Sequence, residues 1–359
     1  MGTAPIGVGI VGLSAAGGWA ANAHVPALAA LDGYELRALS ASSAESARAA
    51  SERYGVALAF GTAEELAARD EVNLVAVTVR VAKHREPVLA ALRAGKSVYC
   101  EWPLARHLAE AEELAAAAAE QGVRTAVGLQ GRSAPVLLHI RDLVAGGYVG
   151  EVLSTTIVAS AGAWGATFQA REPFLLDRDS GNTLLNVAAG RVTDALAMCL
   201  GEFAELNAVM ANRRKQSRNA ETGELMPMTT DDQIAVAGVL ENGAVASLHF
   251  RGGDSPATGL YWEINGTDGD LVVTGDWGYI HLGPVSVRGR QGDEPLTELP
   301  VPDRYVLVPA LAGHEGEPPY NVAHAYARLD EAPTFDDAVR RHRLLDRIVR
   351  AAQSGERTE

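Results

Sequence analysis

Ile6-Gly7-Val8-Gly9-Ile10-Val11-Gly12-Leu13-Ser14-Ala15-Ala16-Gly17-Gly18-Trp19 opens the patterned part of the chain. A run of small and β-branched residues reaches Gly12, and Gly12-Leu13-Ser14-Ala15-Ala16-Gly17 then spells a G-x-S-x-x-G turn. In dinucleotide-binding βα units the first glycine allows the tight strand-to-helix turn. The second small residue lets backbone approach a pyrophosphate, and the third lets helix and strand pack closely. Ser14 holds the second position and is small enough for that approach. Helix N–H groups then face the phosphates. A purely structural turn is the alternative, but the strand before it and the Ala-rich helical segment after it favour nucleotide binding through Gly12, Ser14, Ala15, Ala16, Gly17 and Trp19.

The length of 359 residues suits two domains, and 47% hydrophobic with 21% charged residues is ordinary for a globular protein. No apolar run reaches transmembrane length, and no basic-then-apolar leader is evident, so a cytoplasmic protein without a membrane partner is expected. A formal charge of −14 argues against a nucleic-acid surface. Cys100 and Cys199 stand far apart without metal-ligand spacing, which fits a reducing compartment and no metal.

Between residues 6 and 129, short apolar strands alternate with amphipathic helices. Strands are expected at 6–12, 34–40, 57–60, 73–79, 97–100 and 124–129, and helices at 17–31 (broken near Pro26), 44–54, 62–68, 83–94 and 107–121. This alternation predicts a doubly wound parallel sheet, an α/β Rossmann domain over residues 1–129. Ligands sit beyond the carboxyl ends of such strands, which gathers Gly12–Gly17, Ser40, Ser42, Ser43, Thr78, His84 and Glu101-Trp102-Pro103 around one crevice. NAD-selective sheets carry an acid at the end of the second strand. Here Ser40-Ala41-Ser42-Ser43 precedes the first acid, Glu45, and Arg48 follows. The expected cofactor is NADP or NAD, with NADP favoured.

Residues 130–359 read as a second, α+β domain with an open, mostly antiparallel sheet. Strands are expected at 152–160, 204–211, 233–240, 244–250, 260–265, 270–274 and 279–282, with Asn242-Gly243 and Asp268-Gly269 as hairpin turns. Helices are expected at 181–200, 320–330 and about 335–352, the last N-capped by Thr334. Residues 283–319 read as an irregular excursion, and the basic run 213–218 as a solvated hairpin tip or a phosphate or partner contact. Trp164 and Phe168 in a loop suit either ring stacking on a sugar or simple anchoring.

The order of Gly12–Gly17, Val77-Thr78-Val79, His84 and Glu101-Trp102-Pro103 resembles the Gfo/Idh/MocA oxidoreductases, nearly end to end. Gly18-Trp19-Ala20, Glu101-Trp102, Leu129-Gln130-Gly131-Arg132 and Gly201-Glu202-Phe203 bring it closest to the fungal galactose-metabolism transcriptional inhibitor within that family. The resemblance implies an NAD(P)-dependent enzyme on a sugar-like or other cyclic substrate. It also implies a homodimer or homotetramer through the exposed face of the second sheet, and Glu101, Trp102 and Gln130 near the cofactor. Family enzymes carry Glu-Lys-Pro, whose lysine assists proton transfer; here Trp102 replaces it. They carry Gly-His-x-x-Asp on the second domain's first helix; here Gly190-Arg191-Val192-Thr193-Asp194 replaces histidine by Arg191. An indole does not exchange protons at neutral pH, and arginine is a poor base. Candidate substitutes are His84, Arg191 and Asp194, with Trp102, Arg132, Trp164, Asn186, Arg191 and Asp194 as substrate contacts. His84 reads alternatively as a helix cap, and Asp194 as a salt-bridge partner of Arg191. A catalytically silent NAD(P)-binding sensor is the competing expectation.

Overall fold

A computed structural model describes residues 4–358. Contacts divide the chain into two compact units: residues up to Gln130 together with Leu307–Arg340, and Gly131–Val306 together with Arg341 onward.

In the first unit, β1 (Ile6–Val11), β2 (Tyr34–Ser40), β3 (Leu58–Phe60), β4 (Leu74–Val77), β5 (Ser97–Glu101) and β6 (Thr125–Gly128) form one parallel sheet in the order β3-β2-β1-β4-β5-β6. This is the doubly wound Rossmann arrangement, whose order reverses beside β1. The intervening helices are α1 (Val25–Ala29), α2 (Ala44–Tyr54), α3 (Ala63–Ala67), α4 (Arg85–Arg93) and α5 (Leu108–Gln121). Polar side chains start three of them: Ser43 Oγ accepts from Ser46 N–H, Thr62 Oγ1 from Glu65 N–H and His107 Nδ1 from Glu110 N–H.

The first helix departs from the expected span of 17–31. Residues Ala20–His24 form a π turn, and only then does α1 begin. Pro26 supplies the cause. It has no N–H to offer the preceding turn, and Val25 N–H bonds back to Ala20 O instead.

Leu307–Arg340 joins this unit although the sequence division put it in the second domain. The helix Pro318–Ala327 buries Val322, Ala323 and Tyr326 in one cluster with Ala23, Ala27 and Leu28. Beyond it, Val127 N–H donates to Pro333 O at 2.8 Å, and Arg124 pairs with Asp330.

The second unit adds α6 (Pro135–Ala145), which sequence patterning missed, and α7 (Gly190–Leu200). Its strands are β7 (Val152–Ala161), β8 (Thr167–Phe168), β9 (Phe203–Ala211), β10 (Gln216–Asn219), β11 (Leu225–Pro227), β12 (Gln233–Leu240), β13 (Val245–Gly252), β14 (Leu260–Gly266), β15 (Gly269–Gly275), β16 (Val285–Gln291) and β17 (Thr297–Glu298). Eight of them form a sheet ordered β17-β16-β15-β14-β7-β13-β12-β9, antiparallel except where β13 runs parallel to β7. Strands β11, β10 and β8 make a small separate sheet, so the basic run leads into a hairpin.

Alternation sets the large sheet's faces. Along β13, Ala246, Leu248 and Phe250 are buried while Val245, Ser247 and His249 are exposed. At its centre Trp262 is fully buried and donates Nε1–H to Thr155 Oγ1 at 2.9 Å.

Three expectations fail here. Residues 279–282 are a turn, because the chain between Gly275 and Val285 leaves the ladder. Residues 283–319 contain the paired strands β16 and β17. The span 181–200 is helical only from Leu185, as a π turn over Leu185–Ala189 followed by α7.

Candidate functional site

In the first unit the glycine turn closes tightly. Gly12 has φ 102°, and a Cβ there would lie 2.7 Å from Val79 Cγ1, so only glycine fits without displacement. Gly17 N–H donates to Ser14 O and Ala16 N–H to Ser14 Oγ, both at 3.1 Å, so Ser14 braces the turn that contains Ala15 and Ala16. Two residues missed by sequence reading hold the turn from outside. Tyr54 O–H donates to Ser14 O at 3.0 Å, and Arg53 Nη1 donates to Ala15 O at 2.5 Å. Both sit at the end of α2, where nothing in the local pattern marks them.

Beside the turn lies a crevice of about 430 Å³, lined by Gly12, Ser14, Ser40, Ser42, Ser46 and Lys83 among others. That volume is within the range of small-molecule sites. Ser40 O accepts Gly12 N–H, fixing the end of β2 to the turn. Ser43 is committed to capping α2. Thr78 ties β4 to β1 through Oγ1–H to Val11 O at 2.8 Å.

A dinucleotide fits these residues. Cβ atoms at Gly17 and Gly18 would meet nothing within 4 Å, which leaves the backbone open to approach. Trp19 Nε1–H is buried without an acceptor among the described residues, a donor that a bound polar group would satisfy.

His84 differs from its expected catalytic use. It is 1% exposed, with Nε2 2.9 Å from Val79 O and Nδ1 3.3 Å from both Leu104 O and Cys100 Sγ. The neutral tautomer that fits donates Nε2–H to Val79 O and accepts the Cys100 thiol proton at Nδ1. Burial lowers the His84 pKa and pushes the Cys100 thiol well up, which keeps both groups neutral. Both ring nitrogens are thus used to hold the loop after β4.

Glu101 is buried at the end of β5 and accepts Gln130 Nε2–H at 2.8 and 3.0 Å. It also accepts His24 Nε2–H at 2.9 Å, and His24 Nδ1 accepts the Tyr326 hydroxyl at 2.8 Å. Tyr99 stacks on Tyr326 with centroids 5.1 Å apart, enclosing the network. Trp102, 3% exposed, follows directly and is joined to Pro103 by a cis peptide.

In the second unit Asp194 is clamped. Arg132 donates Nε–H and Nη2–H to its carboxylate at 3.0 and 2.7 Å, and Arg341 Nε lies 3.4 Å away. Fully buried Arg341 also makes a two-point bond to Glu202. Arg132 and Asp194 are therefore brought together as each other's partners. The expected catalytic and substrate use of Asp194 gives way to an ion-pair role, and its partners are Arg132 and Arg341 rather than Arg191.

Arg191 has different company. Its charge acts on Tyr279 and His281, two residues of the turn after β15 that sequence reading had assigned to a strand. Burial pushes the Tyr279 phenol up to about 12 despite Arg191, so it stays a hydroxyl donor. Burial and the Arg191 charge hold His281 well below the ordinary histidine range.

Asn186 lies five residues before Arg191, which in an α-helix would set them about 140° apart. The π turn, with Gly190 N–H bonded to Leu185 O, narrows that angle. Asn186 itself donates Nδ2–H to Gly181 O at 3.2 Å. Trp164 is 2% exposed with φ 58° and donates Nε1–H to Asn182 O, so it anchors its loop and presents no face for stacking.

Comparison with known proteins agrees with this architecture. The oxidoreductase family model with an NAD-binding Rossmann fold, GFO_IDH_MocA, matches residues 6–129, and the model of the Gal80p C-terminal domain matches residues 135–275. The galactose/lactose metabolism regulatory protein GAL80 of Saccharomyces cerevisiae is 33% identical over 299 residues, 78% of this chain and 69% of that protein. The dehydrogenase aclE of Aspergillus oryzae is 31% identical over 378 residues, 98% of each chain. The crystal structure of a super-repressor mutant of Gal80p from Saccharomyces cerevisiae matches with a TM-score of 0.88 and 27% identity, over 99% of this chain and 98% of that one. Among the described residues no helix is long and apolar enough to cross a membrane.

Two outcomes follow from these contacts. Asp194→Asn leaves buried Arg341 with one carboxylate fewer and should destabilise the chain by about 3–5 kcal/mol in urea unfolding; a loss under about 1 kcal/mol would show that the clamp is not structural. His84 and His281 have lowered pKa values, so the folded state binds fewer protons than the unfolded chain. Their contribution is complete above the unfolded value of about 6.5 and declines below it, by at most about 1.4 kcal/mol per pH unit for each. Unfolding measured at several pH values should show that decline, and His84→Gln with His281→Gln should flatten it.

Proposed function

This chain belongs to the Gfo/Idh/MocA oxidoreductase family, and on that premise we propose that it is an NAD(P)-dependent oxidoreductase. Its substrate is a sugar-like or other cyclic hydroxyl or carbonyl compound. The observation that carries the reading is the crevice at the glycine turn, with its open backbone and the unmatched Trp19 N–H. When bound, the nicotinamide supplies or accepts the hydride.

The protein's own groups then have separable tasks. Gly12, Ser14 and Gly17 shape a turn whose open backbone the phosphates approach. Ser42 and Ser46 hydroxyls and the Lys83 ammonium favour a ribose phosphate, against which Glu64 and Glu86 of the same crevice act. This supports NADP over NAD. Trp102 stands where the resemblance places a lysine, and its buried indole supplies no acid there. Arg191 and the Tyr279 hydroxyl donate to a substrate carbonyl, alkoxide or carboxylate; His281, held neutral by burial and the Arg191 charge, is too weak a base to stand in for the missing histidine. His84 is left out because it holds the loop after β4, and Asp194 because it is clamped by Arg132 and Arg341.

A second reading has its own support: Trp102, Arg191 and the GAL80 relatives together fit a protein that binds the dinucleotide without turning it over. It then acts by contacting another protein.

Protein freed of nucleotide and titrated with NAD and NADP should show quenched tryptophan fluorescence, more tightly with NADP. No response to either cofactor would sink both readings. Cofactor reduction across sugars and sugar acids separates them, and Arg191→Ala or Tyr279→Phe should lower kcat/KM by roughly 100-fold or more. Activity seen only after Trp102→Lys would instead support the silent binder.

The open face of the large sheet supports a homodimer or homotetramer. Val209 and Val245 are 67% and 58% exposed there, amid Ala235, Ala237 and Ser247. Val209→Lys with Val245→Lys should shift light scattering toward monomer; an unchanged mass would place the interface elsewhere.

A further inference from the structure

The second unit holds a cavity of about 400 Å³ lined from the π turn Leu185–Ala189, the end of edge strand β9 and the last turns of the helix Phe335–Ser354. Leu185, Met210, Val349 and Ala352 give it apolar wall. Its charged lining is one guanidinium, Arg178, and two carboxylates, Asp179 and Asp231. Arg178 is already committed, donating Nε–H and Nη2–H to Thr229 O at 3.2 and 3.1 Å. Asp231 makes no hydrogen bond or ion pair among the described residues. Its neighbour Thr230 is only 1% exposed, lines the same cavity, and its hydroxyl has no partner among the described residues. Buried Thr230 and half-buried Asp231 thus open side by side to a cavity in which neither has a partner. Native structures rarely leave such groups without a ligand or water.

We propose that this cavity binds a small organic cation, a primary ammonium carried on a short aliphatic or polyhydroxylated chain. An ammonium has three donors and no acceptor. The Asp231 carboxylate, the Thr230 hydroxyl and the Gln353 side-chain oxygen match those three, and the apolar wall covers a run of CH₂ groups. A neutral polyol would leave the carboxylate uncompensated in a partly desolvated place. A metal ion is a poor occupant, since no cluster of three His, Cys, Asp or Glu side chains suited to one occurs among the described residues. Burial and neighbouring Asp232 raise the Asp231 pKa while Arg178 and Lys215 lower it, the state that a bound cation relieves. The π turn adds a second pointer, because such turns forgo regular helical bonding and recur at functional sites. No residue of the glycine-turn crevice lines this cavity, but Asn186, expected above as a substrate contact, does, so the cofactor titration serves as the independent control.

Calorimetric titration of the full chain with 1,4-diaminobutane, glucosamine and glucose tests it. At least one amine should bind saturably and at least about tenfold more tightly than glucose; which amine wins identifies the chain that is preferred. Asp231→Asn should weaken that amine by about tenfold or more while the cofactor titration stays as in the parent chain. Thr230→Val gives a second variant should Asp231→Asn fail to fold, with a smaller loss of the same sign. Absence of saturable amine binding, equal binding of glucose, or amine binding indifferent to both substitutions would overturn the proposal.

Discussion

A carboxylate taken out of water at the end of β5 governs much of the first unit. Glu101 cannot be buried without several donors, and this fold supplies them from three separate places. Gln130 comes from the turn after β6, and His24 from the π turn that follows the glycine loop. Tyr326, on the helix Pro318–Ala327, completes the set through His24. Satisfying one charge therefore fixes the first helical segment, the exit of the last strand and a helix near the other end of the chain. Trp102 inherits its position from that arrangement, since it follows Glu101 directly.

The second unit solves a similar problem with the opposite excess. Buried Arg341 needs anions, and Asp194 on α7 and Glu202 just beyond its end provide them. Arg132 then closes the remaining side of Asp194. The consequence for chemistry is division of labour along one helix. Asp194 is spent on structure, while Arg191 acts on Tyr279 and His281. The polar candidates accordingly extend from the motif positions to a turn outside any motif.

Local signals carried a large part of the fold. The glycine turn and the six parallel strands were legible because each depends on residues within a few positions of one another. The His24–Tyr326 bond joins residues 302 apart, and Arg132 meets Asp194 across 62. No periodicity announces such pairs. The two π turns escaped for another reason: each absorbs a spacing that an α-helical reading cannot express. Tyr279 and His281 alternate with Ile280 and Leu282 as a strand would, yet no neighbouring strand is there to pair with them. β16 was hidden by the glycines and prolines flanking it. In the site, residue type pointed correctly to a polar role for Asp194 and His84, but only the bonding partners showed that both roles were already filled.

The placement of Leu307–Arg340 has a consequence for how this molecule comes into being. The first unit is discontinuous, with its opening and closing segments separated by nearly the whole second unit. During synthesis the strands β1–β6 emerge long before Tyr326, and until then His24 and Glu101 lack the outer member of their network. The sheet pairs entirely within residues 6–128, so what the closing segment brings late is its buried cover, Val322, Ala323 and Tyr326, at the entropic cost of closing a long loop.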